Sequence, residues 1–316
     1  MKAIPADLAE QVCSADIDVT ATARIAAIYH RSLARRAVGR LGEAQRPEAQ
    51  NLVPRVRRLA PAVVHSLYRN TAGAGPAETR RQLQEAGSPA PAAVYTGPPD
   101  APWLRDGLQE VLRSLGWGDE QVGTVVTALP PEAWSSLYLS RQALRTAWPE
   151  AWSEHNTLVE HLVLVRGPMR SATLQSTFGT IYAQVQETGD PLRMFELLLH
   201  ESAHHALLLR EQFTRFIANP DAVGTHALRP DPRPLRGVLH AAFVMWRITE
   251  GLHRYQRTHR GGGPLDGHPV EERRIFALQS LHSALALLDE SAQWTEDGRI
   301  LRTALRTSAK HEGIPV

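Results

Sequence analysis

DPLRMFELLLHESAHHALLLREQF, residues 190–213, is the stretch on which the reading of this chain turns. Asp190 followed by Pro191 makes an N-cap and first-turn pair, since Asp can accept from the first free N–H groups and Pro has no N–H to leave unpaired. No Pro or Gly follows until Asn219-Pro220, so the pattern predicts one helix running to about Phe216. Phe195, Leu197, Leu198 and Leu199 on one side of the centre, and Ala206, Leu207 and Leu208 on the other, predict that this helix is largely buried. Within it stand His200, Glu201 and His204, an HExxH sequence. Residues four apart on a helix share a face, so the two imidazoles can grip one metal ion. The competing reading is a pair of core histidines satisfied by hydrogen bonds.

Downstream, THALRPDPRPLRGV (225–238) carries three prolines at alternate positions and cannot be regular helix before Pro234. A second long helix is expected from there through His240 to about His259, then a Gly-rich loop (GGGPLDGHP, 261–269) and two closing helices. Upstream, Leu162–Val185 is rich in Thr, Val, Ser and aromatic residues and predicts two or three short strands. Further helices are expected at about 103–116, 119–129, 131–147 and 149–160, and two amphipathic ones at 21–44 and 51–68. Residues 70–103 are rich in Gly, Pro and Ala around a short helical stretch at 78–85. The expected organisation is a helical region with a Pro/Gly-rich linker over 1–98 and a catalytic region over 99–316. The expected fold class is mainly α, a helical bundle-like region with a small antiparallel β-sheet preceding the metal-binding helix.

Bulk composition narrows the chemistry. The chain has 316 residues, 43% of them hydrophobic, enough for a sizeable core. A single cysteine, Cys13, excludes an intramolecular disulfide and any site built on several thiolates, so a metal must use His, Asp or Glu. A formal charge of +2 gives no general case for nucleic acid. The arginines at 24, 31, 35, 36, 40, 55, 57 and 58 read as solvated helix faces. With neither a secretory-type apolar core near the start nor a run long enough to span a membrane, a soluble, cytoplasmic protein is expected.

A catalytic metal needs a third protein ligand with positions left open. The sequence after His204, HALLLREQF, lacks a closely following third His, so the ligand must come from the next long helix, where His240 and Glu250 are the candidates. His240, in the apolar frame GVLHAAFVMW, is expected to point inward; Glu250, near Arg247 and Arg254, reads more readily as a surface ion pair. Glu201 has two readings. In a zinc peptidase it is the general base on the metal-bound water; in an iron oxygenase it lies behind the ligands or touches substrate. His205 shares its face and is expected to pair with it.

Four segments resemble a bacterial family of HExxH-motif peptide-modification proteins that accompany ribosomally made peptide natural products, and the C-terminal extension of some radical SAM peptide maturases. They are LRTAWPEAW (144–152), RSATLQSTFGTI (170–181), LLLHESAHHALL (197–208) and, most specific, LRPDPRPLRGVLHA (228–241). The resemblance implies an Fe(II)- and 2-oxoglutarate-dependent β-hydroxylase acting on a precursor peptide, recognised in part through a leader segment, with a radical SAM maturase in the same pathway. It places the iron on His200, His204 and His240; because non-haem iron oxygenase sites usually pair two His with one carboxylate, Asp231 and Glu250 stay open as third ligands. Ala203 departs from the Gln often found there. Under this reading Arg229 and Arg233, pinned between prolines, suit the distal carboxylate of 2-oxoglutarate, which favours a rigid bidentate cation, and the strands at 170–185 offer an edge to an extended peptide. A zinc-dependent peptidase remains the alternative.

Overall fold

The computed structural model describes residues 5–41, 43, 46–69, 77, 81, 83–84, 93–95, 102–114, 124–126, 130–167, 169–226 and 229–311. The protein is mainly α. In chain order the helices are α1 (Ala9–Cys13), α2 (Val19–Gly39), α3 (Arg46–Gln50), α4 (Pro61–Arg69), α5 (Pro102–Ser114), α6 (Pro131–Ala147), α7 (Pro149–Leu158), α8 (Pro191–Arg210), α9 (Leu235–Thr258), α10 (Val270–Ser291) and α11 (Glu296–His311). The strands are β1 (Ala93–Tyr95), β2 (Thr124–Val125), β3 (His161–Arg166), β4 (Ser171–Thr173), β5 (Thr180–Gln184), β6 (Val223–His226) and β7 (Arg229–Pro234). No helix among the described residues is long and apolar enough to cross a membrane. The expected boundary at 98/99 lies outside the described residues, as does most of the expected helical stretch at 78–85.

Contacts gather the chain into two compact units, each assembled from separated segments: Thr22–Ser135 with His155–Asp190, and Met1–Ala21 with Ser136–Glu154 and Pro191–Val316. The first of these contains a five-stranded sheet, ordered β1-β3-β5-β4 with β2 also on β3. It is mixed, not antiparallel as expected. β3 runs parallel to β5 (His161↔Thr180 to Val165↔Gln184) and to β1, whereas β4 and β2 are antiparallel to their neighbours. The reason is visible in LVLV (162–165) and TIYA (180–183), which are buried without alternation. Unbroken apolar runs mark strands covered on both faces, the situation of parallel sheets. Leu104, Leu108 and Val111 of α5 pack on Val163, Val165 and Tyr182. Gly107 makes this approach feasible, since a Cβ there would run into the Tyr182 hydroxyl.

Two helix expectations fail here for local reasons. Within the helix expected at 119–129, the described residues Thr124 and Val125 form β2 instead, in agreement with the β-branched run VGTVVT. The expected helix over 51–68 is confined to α4, because Pro54 and Pro61 disfavour helical backbone just before them and Pro61 instead opens a helix. Among the basic residues read as solvated, Arg58 is the exception: it is buried, with Nε 3.2 Å from Glu160 Oε2.

The second unit is organised around α8, in which Leu192, Met194–Leu199, Glu201–Ala203 and His205–Arg210 are buried. A helix covered nearly all round cannot be a surface helix. α9 packs on α8 with Gly251 against Leu199, close enough that a Cβ at Gly251 would overlap Leu199 Cδ1. α8 ends at Arg210 rather than near Phe216. Thr295 Oγ1 takes the Arg215 carbonyl, Ala218 N–H donates to Gln293, and Ile217 bridges Trp294, so tertiary pairing claims the backbone that would have continued the helix. Arg247 of α9 is 2% exposed, 3.0 Å from Glu154 Oε2 and over the rings of Trp148, Trp246 and Phe243. Removing one partner of such a pair strands a buried charge. Glu154→Ala is therefore expected to lower unfolding free energy by about 3–5 kcal/mol, measured by urea denaturation.

Candidate metal centre

His200 and His204 lie one turn apart on α8, with Nε2 to Nε2 at 3.1 Å. His240, in the second turn of α9, brings Nδ1 to 3.1 Å from Nδ1 of His204, the two rings stacked at 5.4 Å. The three expected ligands are thus neighbours. A fourth residue closes the row: Glu211 Oε2 is 3.2 Å from His240 Nε2 and accepts from Arg236 Nη2 at 2.6 Å and Nε at 3.1 Å. The order is His200, His204, His240, Glu211, Arg236. Exposure falls from 34% at the His200 side chain to 12% at His240 and 14% at Glu211, then rises to 51% at Arg236.

Two imidazole nitrogens each about 2.1 Å from one ion lie about 3.0–3.4 Å apart, so the His200–His204 pair has ligand spacing as it stands. His240 is adjacent, but it meets the other nitrogen of His204, and one imidazole nitrogen carries one lone pair to a metal. Among the described residues no three His, Cys, Asp or Glu side chains converge on a single point. The α8 pair by itself has the spacing of two ligands to one ion, and His240 lies beside it on the other nitrogen of His204.

Electrostatics favour the ligand form. Burial first, then the neighbouring His200, His240 and His205, hold the His204 imidazole well below its ordinary 6.5, which keeps it neutral with a lone pair free. Burial alone would raise the Glu211 carboxyl, but hydrogen bonds and charge from His240 and Arg236 outweigh it and bring it down to about 2. Glu211 is therefore a fixed negative charge between His240 and Arg236.

The remaining site expectations are met unevenly. Glu201 is 1% exposed, with Oε1 3.8 Å from His200 Nε2. His205 bonds the Glu201 backbone carbonyl through Nδ1 at 2.9 Å, rather than forming the expected side-chain pair. Glu250 accepts from Arg254 Nε at 2.6 Å, the ion pair anticipated for it, and lies ten residues along α9 from His240, about 15 Å away. Arg247 does not join that pair, being committed to Glu154. Arg229 and Arg233 lie in β7, opposite His226 and Gly224 of β6; Arg233 is partly buried. A cleft of about 450 Å³ lined by Ala147, Glu250, Arg254, Arg257, Thr258 and Arg260 contains none of the three histidines.

Glu211 and Arg236 escaped the sequence reading, although signals for both exist. Glu211 follows His204 by seven residues and so extends the stripe of His200 and His204; Arg236 precedes His240 by four and shares its face. No family model matches the chain, and no curated protein matches it significantly.

A lowered imidazole pKa has a signed consequence. The unfolded chain protonates near 6.5 and the folded His204 only well below, so its contribution is fully present above 6.5 and is lost as pH falls. The metal-free protein should lose stability between about pH 7.5 and about pH 5, and His204→Gln should lose less over that interval, measured by urea midpoints at both ends.

Proposed function

We propose that the chain is an Fe(II)- and 2-oxoglutarate-dependent hydroxylase acting on the β-carbon of a residue in a ribosomally made precursor peptide. The observation that carries this reading is the position of His240. The segment with the most specific resemblance, LRPDPRPLRGVLHA, is β7 followed by the first turns of α9, and it delivers His240 to 3.1 Å from His204. The close spacing of the imidazoles and the neutrality of His204 support metal binding, and the commitment of Glu250 to Arg254 removes the carboxylate that a thermolysin-like zinc set would use.

In this reading His200 and His204 hold the iron through Nε2, and His240 supplies the third nitrogen. Bound there, iron would allow dioxygen to serve as the oxidant, with two electrons taken from 2-oxoglutarate as it loses CO2 to become succinate and two from the hydroxylated C–H bond. The chain's own task is to keep His204 neutral and the three rings close together. Arg229 and Arg233, on a strand stiffened by Pro230, Pro232 and Pro234, are proposed to take the distal carboxylate of the cosubstrate. Glu201, enclosed beside His200, supports the ligand helix rather than moving protons.

A zinc peptidase is the second reading, favoured by the 3.8 Å separation of Glu201 Oε1 from His200 Nε2. Adding Fe(II) and 2-oxoglutarate without oxygen should produce a weak visible charge-transfer band, and admitting oxygen should yield succinate. Zinc-supported peptide cleavage with no succinate sinks the hydroxylase. Glu201→Gln should retain iron and uncoupled 2-oxoglutarate turnover in a hydroxylase, whereas it abolishes a peptidase. Arg233→Ala should raise the 2-oxoglutarate requirement about tenfold or more, as expected for loss of a charged hydrogen bond; an unchanged requirement in both Arg233→Ala and Arg229→Ala refutes the cosubstrate placement.

A further inference from the structure

A groove follows the C-terminal half of α9 and contains none of the three histidines. It consists of two adjoining clefts, of about 420 and 450 Å³, that meet at Glu250 and Arg254. At this joint the charges are matched: Arg254 Nε is 2.6 Å from Glu250 Oε1, Arg254 Nη1 is 3.9 Å from Glu150 Oε2, and the guanidinium stands 4.8 Å from the centre of the Trp148 ring.

On either side of the joint the charges separate by sign. One cleft has Asp16 and Glu150, both exposed, above the buried Trp148 and Trp246, whose rings meet edge-on at 6.3 Å. Carboxylates beside aromatic rings favour a cation. The other cleft has Arg257 and Arg260 with Thr258 between them. Among the described residues neither guanidinium makes a hydrogen bond or an ion pair, so both are open to a carboxylate, which a guanidinium can hold with two parallel bonds. Arg257 also suits the negative end of α9, but Arg260 lies beyond the helix, where that effect has faded.

The basic end is held in shape. His259 stacks on Tyr255 at 4.4 Å and brings Nε2 to 3.2 Å from Thr146 Oγ1, tying the turn after α9 to the end of α6. Gly263 lies so close to the Tyr255 hydroxyl that a Cβ there would overlap it. The backbone of Arg260 is thus fixed between two anchored residues, which reduces the ordering cost of binding.

We infer that this groove docks an extended peptide segment, with a basic side chain at the Asp16 end and an acidic one at the Arg260 end. Length favours a peptide over a small zwitterion. Trp246 and Arg257 are eleven residues apart on α9, a rise of about 16 Å that about five residues of extended chain would span. Docking here needs no metal and does not depend on the hydroxylase reading; under that reading it adds a hold on the precursor peptide away from the residue that reacts.

The metal-free full chain is titrated against a dye-labelled, C-terminally amidated Arg-Gly-Ser-Gly-Ser-Glu peptide, read by fluorescence anisotropy at low ionic strength. Saturable binding is expected, weakened about two- to fivefold when either charged residue of the peptide becomes Gln, and weakened likewise when the two are made adjacent. Arg257→Glu combined with Arg260→Glu should abolish binding of this peptide and confer binding of Arg-Gly-Ser-Gly-Ser-Arg, an exchange that loss of structure cannot produce. Arg35→Glu combined with Arg36→Glu, the same change of net charge on exposed residues of α2, should leave binding as it was. Absence of binding overturns the inference, as does an equal loss in the α2 variant, which would mean attraction by net charge alone. Equal affinity for the peptide with adjacent charges, or competition by free arginine or glutamate at the peptide's own concentration, overturns it as well, because the groove would then take separate small ions. Succinate formation by a chain that fails these tests leaves the hydroxylase reading standing, and docking without succinate leaves the groove standing.

Discussion

The enclosure of α8 is the constraint from which the rest of its unit follows. A helix buried almost all round must find a partner for every polar atom it carries, because an unmatched donor or acceptor away from water costs kilocalories. Glu196 is met by Arg273, at 2.8 and 2.6 Å. His205 turns back to its own helix backbone, and Arg210 donates to the carbonyls of Ser14 and Asp16. The partners come from remote parts of the chain, so the polar groups of one helix tie the N-terminal segment and α10 to a common centre. Phe243 contributes to that tie, with the Arg210 and Arg247 guanidiniums both near its ring at 5.3 and 5.2 Å. The row of His200 and His204 follows the same rule, with the difference that its partners are other imidazoles.

Most of this helical architecture was legible in the sequence because it is written in local signals. Pro191, Pro131 and Pro149 begin the helices they were expected to begin, and the proline run at 230–234 delays α9 until Leu235. What escaped was decided by contacts between distant residues. The length of α8 beyond Arg210 depended on hydrogen bonds to residues 293–295, which no window around Phe216 contains. The direction of β3 and β5 depended on which strands flank them, although the unalternating LVLV carried a hint. At the site, His200, His204 and His240 were legible from motif and frame. Glu211 was not, since one glutamate at a helix end is common, and its contacts exist only once α9 brings His240 and Arg236 alongside.

Arginine is used in two different ways. On α2 most of the arginines stay in water, whereas Arg58, Arg210 and Arg247 are buried and each finds acceptors. Guanidinium suits that use: it is planar, weakly hydrated, able to lie against aromatic rings and slow to give up its proton. Even so, burial lowers the pKa of all three, Arg210 to about 10, which remains far above neutrality. A lysine in the same places would be far easier to discharge, and the interior would then hold an uncompensated Glu154.

The alternation of proline along β7 has an effect beyond delaying a helix. Successive N–H groups of a strand point to opposite edges, and Pro230, Pro232 and Pro234 occupy every second position, so one long edge of β7 presents no donor at all. The two-stranded sheet it forms with β6 is therefore closed to growth on that side: neither a copy of the chain nor an unfolded neighbour can zip onto it by backbone pairing. The segment that leads into α9 and His240 is thereby protected from self-association, by residues whose first effect is on the shape of the backbone.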